Sequence, residues 1–238
     1  MVSRYLNRRL LVGFAIVALM FGLAGPASAQ VGQRGSANYY MIMFGVQSEP
    51  NVARLSHTFA VFVRATGPEA NPSAQLDVQT ISVQTISWMP RSLEIEPLRR
   101  FPTHGVNLDL AETLSWARSV DSRVTMWGPY PIEKELYDVA AHRSEQLKSG
   151  AIQYIANDRR RREEGAVNCI HALSDMIPSQ SLLGTGSECG NGASELVLQH
   201  LNRYVSTSSE SADWLTQRLK LDSPLVHQAA ATRAMAQR

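Results

Sequence analysis

His57, Phe59, Val61 and Val63 recur at every second position, and a period of two places their side chains on one face of a β-strand. The run just before them, Tyr39 to Val46, is apolar and aromatic without interruption, which suits a buried strand. Ser48 to Asn51, with Pro50, supplies the turn between the two. After a loop marked by Gly67-Pro68 and Asn71-Pro72, Leu76 to Trp88 reads as a long strand rich in Val, Ile and Thr, closed by Pro90. The strands on either side of that loop are predicted to pair antiparallel and to form the core of a small sheet. The doubled Gln79-Thr80-Ile81-Ser82 and Gln84-Thr85-Ile86-Ser87 is too short to be an architectural repeat and belongs to this strand.

Helical periodicity follows. Asp109 with Glu112 forms a capping-box start ahead of a stripe of Leu110, Leu114 and Ala117. Arg123 to Trp127 reads as a strand stopped by Gly128-Pro129. Pro131 then suits the first turn of a helix that presents Ile132, Leu136, Val139, Ala140 and Leu147 and ends at Gly150. Ile152 to Ile155 is too short to assign. A helix is expected over Ile170 to Ile177 before Pro178, another over Ser194 to Tyr204, and one more around Trp214, Leu215 and Leu219. The Ala-rich tail from Val226 is open between helix and disorder. Strands early and helices late argue for an α+β class, a small antiparallel sheet with flanking helices.

The amino terminus carries an export pattern: basic Arg4, Arg8 and Arg9, an apolar run from Leu10 to Leu23, then Gly25-Pro26-Ala27-Ser28-Ala29. The apolar run is shorter than the roughly 20 residues of a spanning helix, and Ala27 and Ala29 suit cleavage before Gln30. Retention as an anchor is the other reading. The expected organisation is a signal peptide over 1–29, a flexible lead over 30–38, an α+β domain over 39–205, and a helical or partly disordered extension over 206–238. A periplasmic or secreted location follows, with no membrane span after cleavage. A net charge of +2 supplies no field for nucleic acid, and the run Arg159 to Arg162 is followed at once by Glu163 and Glu164, so it reads as a solvated face.

Chemistry concentrates at Val167-Asn168-Cys169-Ile170-His171. A thiol nucleophile needs a depressed pKa, and Cys169 stands at the predicted start of a helix with Asn168 placed to cap it. Its base must come from elsewhere, and His57 on a core strand is the candidate. The competing reading starts from the cysteine count. An exported chain with two cysteines suits a Cys169–Cys189 disulfide, worth about 3 kcal/mol by chain entropy, which would remove the nucleophile. His171 lies two residues from Cys169, about 200° around a helix, so the two do not converge on a metal ion. Gly184 to Gly192 lacks the Gly-Lys-Ser/Thr of a phosphate loop. No metal or other cofactor is expected.

Asn168-Cys169-Ile170-His171 resembles the Asn-Cys-Glu-His signature of circularly permuted papain-like thiol enzymes, the lecithin:retinol acyltransferase-like group of the permuted cell-wall peptidases. That resemblance implies a permuted papain-like core, with His57 of Ser56-His57-Thr58-Phe59 as base on an early strand and Cys169 as nucleophile on a late helix. Tyr154, ahead of that helix, is also similar. The pattern departs from the family in two places: Ile170 stands where the family has Glu, and no His occupies Leu76 to Trp88, so Gln84 or Thr85 would have to orient His57. The resemblance implies a hydrolase or acyltransferase acting on an amide or ester carbonyl, of a cell-envelope peptide or a lipid. The alternative is a non-catalytic exported binding or structural domain stapled by Cys169–Cys189.

Overall fold

The computed structural model describes residues 37–66, 80–157, 165–177, 183–184, 188–206 and 212–229. Its centre is β1 (Ala37–Gln47), which pairs antiparallel with β2 (His57–Thr66) on one side and β6 (Arg123–Pro131) on the other. The stretch of β1 from Tyr40 to Val46 is apolar without alternation because it is buried from both faces of the sheet. The sheet runs β3-β2-β1-β6-β9, with β3 (Thr80–Ile86) antiparallel at one edge and β9 (Val226–Gln228) parallel to β6 at the other.

Alternation divides the core in two. On one face Met41, Met43, Ala60, Phe62 and Ile86 pack against α2 (Lys134–Lys148), α3 (Cys169–Ser174) and α4 (Asn191–Leu201), through Leu136, Leu173 and Val197 among others. On the other face Ile42, Phe44, Phe59, Val61 and Val63 pack against α1 (Leu110–Ser119) and α5 (Trp214–Arg218), through Trp116, Ala117 and Leu215. Helix α1 starts at the expected capping box, with Asp109 accepting from the Glu112 backbone and Glu112 accepting from that of Asp109. A second small sheet, β4 (Trp88–Pro90), β5 (Thr103–Asn107), β7 (Gln153–Tyr154) and β8 (Ala166–Val167), borders the first. The class is therefore α+β, built from two small mixed sheets and flanking helices. Among the described residues no helix is long and apolar enough to cross a membrane.

Several expectations need correction. The long strand expected over Leu76 to Trp88 breaks at Ser87, whose backbone N–H donates to Asn107 Oδ1, so β3 and β4 join different sheets; residues 76–79 lie outside the described set. Gly128-Pro129 does not stop β6. Gly128 takes φ +95°, a conformation open to glycine, and the register with β1 shifts between Met41 and Met43 while the strand continues to Pro131. The following helix accordingly begins at Lys134 and not at Pro131. Helix α3 ends at Ser174 and stops short of Ile177, in keeping with the bias against helix just before Pro178.

The tail from Val226 is neither helix nor disorder where it is described: Val226–Gln228 forms the edge strand β9. Segment 212–229 thus packs into the domain as part of its sheet and core. The signal segment, most of the expected flexible lead, the charge run Arg159 to Glu164 and residues 207–211 of the expected extension lie outside the described residues.

Candidate functional site

Asn168 performs the capping role expected of it. Its backbone is extended, at φ −90° and ψ −176°, and its side-chain oxygen accepts the His171 backbone N–H at 2.9 Å. Cys169 is the first helical residue, 8% exposed and sunk in the apolar core beside Ile170 and Leu173. The preceding Val167 carbonyl is held by Trp88 Nε1 at 3.1 Å, which fixes the entry to α3. From α2, Arg143 donates its Nε to the Ala172 carbonyl at 3.1 Å and an Nη to that of His171, satisfying the far end of this short helix. Burial pushes the Arg143 pKa down and nearby Asp175 pushes it back up. His171 is buried on the same helix, with Nδ1 3.2 Å from both Ser174 Oγ and Asp175 Oδ1.

His57 lies on the other side of the sheet. Its cross-strand partner is Val46, and its ring contacts Phe59 at 5.8 Å and Trp116 at 5.7 Å between centroids, within the layer built on α1. Cys169 packs with Ala60 and Phe62, which point the opposite way from β2. The two candidate residues are therefore separated by the thickness of the sheet. Gln84 pairs with Phe62 across β2 and β3, so it shares the Cys169 face and is remote from the His57 ring. The three are not brought together.

Ser87 orients His57 instead, its Oγ 2.9 Å from Nε2. Thr113 Oγ1 lies 2.8 Å from Ser87 Oγ and 2.6 Å from the Asp109 carbonyl. That carbonyl can only accept, and each hydroxyl has a single proton, so the chain runs His57 Nε2–H to Ser87 to Thr113 to Asp109. Nδ1 then carries the lone pair and is buried with no hydrogen-bond partner among the described residues. Burial lowers the His57 pKa from 6.5 to about 3. This is a neutral core histidine with no access to solvent. Sequence reasoning missed Ser87 because its role depends on the break between β3 and β4.

The expected disulfide is absent: no S–S bond joins Cys169, which is buried, to Cys189, which is half-exposed. Cys189 sits before the start of α4 and donates through its thiol to Asn51 Oδ1 at 3.5 Å, so neither the nucleophile reading nor the staple gains from it.

Around that helix start lies a polar cleft of about 310 Å³, lined by Gln47, Ser48, Glu49, Asn51, Arg123, Thr125, Asn191 and His227. Each position has a structural cause. Gln47 ends β1, Arg123 opens β6, and His227 on β9 is in register with Thr125 on β6. Ser48 Oγ donates to the Pro50 carbonyl at 2.7 Å and accepts the Val52 N–H at 3.2 Å, folding the loop that presents Glu49 and Asn51. Asn191 N–H donates to Gln47 Oε1 at 3.3 Å, bringing α4 to the lip of the sheet. That approach requires Gly45, where a Cβ would lie 2.5 Å from Asn191 Oδ1. Arg123 Nη2 and Glu49 Oε2 meet at 2.9 Å across the cleft, both largely solvent-exposed. A second hollow of about 400 Å³ shares Glu49, Arg123 and His227.

Among the described residues no three His, Cys, Asp or Glu side chains are grouped to hold a metal ion. No family profile, curated protein or solved structure matches the chain.

Proposed function

We propose that this chain is an exported, non-catalytic binding domain whose ligand site is the polar cleft at the ends of β1, β6 and β9. The observation that carries the reading is the cleft's chemistry. One cationic and one anionic side chain, Arg123 and Glu49, stand in a lining otherwise made of amides, hydroxyls and an imidazole. The exposed Arg123–Glu49 pair contributes little to stability, so its charges are available to a ligand at small cost. A short zwitterionic peptide offers the matching groups: a carboxylate for Arg123, an ammonium for Glu49, and peptide bonds for Gln47 and Asn51. A cell-envelope peptide is the ligand class this favours, in keeping with an exported chain. Titration of a panel of short peptides, read by thermal shift and calorimetry, tests the proposal. A ligand should raise the melting midpoint, and Arg123→Ala should abolish the effect while leaving the free protein's midpoint unchanged. A panel without binders, or binding indifferent to Arg123→Ala and Asn51→Ala, would refute it.

A second reading is favoured by one feature, Cys169 at the capped start of α3, the position a permuted papain-like core gives its nucleophile. On that reading the chain is a cysteine hydrolase or acyltransferase, and its base is a residue other than His57. Thiol labelling, discussed below, separates the two.

A further inference from the structure

The connection between β4 and β5, residues 91–102, leaves large apolar side chains in solvent. Leu98 is 91% exposed and Phe101 68% exposed. The loop is nevertheless well anchored. Ile95 is buried in the core, Trp116 Nε1 donates to the Leu93 carbonyl at 3.2 Å, and the Arg91 N–H donates to the His104 carbonyl at 2.9 Å. The Arg99 N–H closes a turn on the Glu96 carbonyl at 3.1 Å, and Leu98 is a central residue of that turn. Leu98 and Phe101 are therefore presented by an ordered scaffold.

Their charged neighbours in the loop are three arginines and two glutamates. Arg91, Arg99 and Arg100 are exposed, against Glu94 and Glu96, and Glu96 is already engaged by Arg99 at 3.1 Å. Arg91 and Arg100 have no ion-pair partner among the described residues.

We infer that this loop is a docking surface for an anionic lipid bilayer, with Leu98 and Phe101 entering the interface and Arg91 and Arg100 meeting lipid phosphates. The size of the patch selects this occupant. A specific protein interface buries about 800 Å² per partner over some 20–30 residues, and this patch is a few side chains wide. Interfacial attachment scales with the apolar area buried and with attraction to anionic lipid, so a small apolar pair beside arginines gives weak, reversible attachment. Such attachment would hold the domain at a membrane surface without a spanning segment, and it is independent of any ligand in the polar cleft.

The test is co-sedimentation of the full-length protein, as purified after expression, with vesicles of phosphatidylglycerol and phosphatidylcholine, compared with phosphatidylcholine alone. Binding to the anionic vesicles is expected, with a fall of about tenfold in partitioning for Leu98→Ser/Phe101→Ser. Arg100→Glu and added salt should each weaken it. Both apolar residues are in solvent, so circular dichroism and the melting midpoint of the double variant should match the parent. Equal binding by the double variant overturns the inference, because an apolar leader or any other surface would then be responsible. Equal binding to neutral vesicles overturns it too, as does an absence of binding at low salt, which would leave a protein as the loop's partner.

Discussion

Ser87 Oγ lies 2.9 Å from His57 Nε2, and this pair sits on the α1 side of the sheet while Cys169 sits on the α3 side. The imidazole is stacked on Phe59, edged by Trp116 and tied through Ser87 and Thr113 to the carbonyl that begins α1. Such a group joins a helix start to the break between β3 and β4. Its chemistry is structural, and its consequences are measurable as stability.

Stability should fall on mild acidification because of His57. Its folded pKa, about 3, lies below the ordinary 6.5, so between those values the unfolded chain binds a proton that the folded chain does not. The contribution is complete above about pH 6.5 and is lost as pH falls toward 3. Between pH 7 and pH 5 the loss amounts to roughly 2 kcal/mol for this one group. Urea unfolding of the parent and of His57→Gln across that window should show a shallower pH dependence in the variant. Parallel curves would mean that His57 titrates freely.

Ser87→Ala should cost about 1–3 kcal/mol, because it strips His57 Nε2 and Thr113 of a buried partner. Gln84→Ala, at a partly buried position on an edge strand, should cost less than about 1 kcal/mol. Denaturation midpoints of the two variants rank them. The opposite order would point to Gln84 as the partner of His57.

Gly45→Ala should destabilise the fold by about 1–3 kcal/mol and distort the cleft, since its Cβ would fall 3.0 Å from both Asn191 Cα and Ser194 Oγ. Ser194 has little room to yield: its hydroxyl lies 3.0 Å from the Phe44 carbonyl and 3.1 Å from Thr58 Oγ1. Peptide binding should therefore weaken in this variant along with stability. Unchanged affinity would place the ligand away from the start of α4.

The α+β class, strands β1 and β2, the α1 capping box and the Asn168 cap were all legible, because each is written in local periodicity or local hydrogen bonding. What failed needed tertiary information. The period of two along β2 states that His57, Phe59 and Val61 share a face, but it does not say which helices cover that face. Pairing His57 with Cys169 assumed α3 would land there, and α1 does. The same applies to Ser87, whose bond to Asn107 ends β3 without any glycine or proline. Strand β9 was invisible because three residues added parallel to an edge leave no pattern of their own. The cleft is drawn from four separate segments, and no spacing in the sequence announces it.

Thiol alkylation at mildly acidic pH, read by mass spectrometry without prior reduction, discriminates between the two readings of Cys169. Cys189, half-exposed beside Asn51, should label first, and no cross-linked peptide should appear. Cys169 should label slowly, through opening of α3. Asn168→Ala removes the cap, worth about 1 kcal/mol, and should speed that labelling about fivefold. The sign of the His57→Ala effect then decides. If Cys169 reacts only when the fold opens, loss of a buried stabilising group must accelerate its labelling. If His57 instead drew the proton from the thiol, its removal would slow labelling, because less thiolate would be present. The sheet between the two residues makes acceleration the expected result.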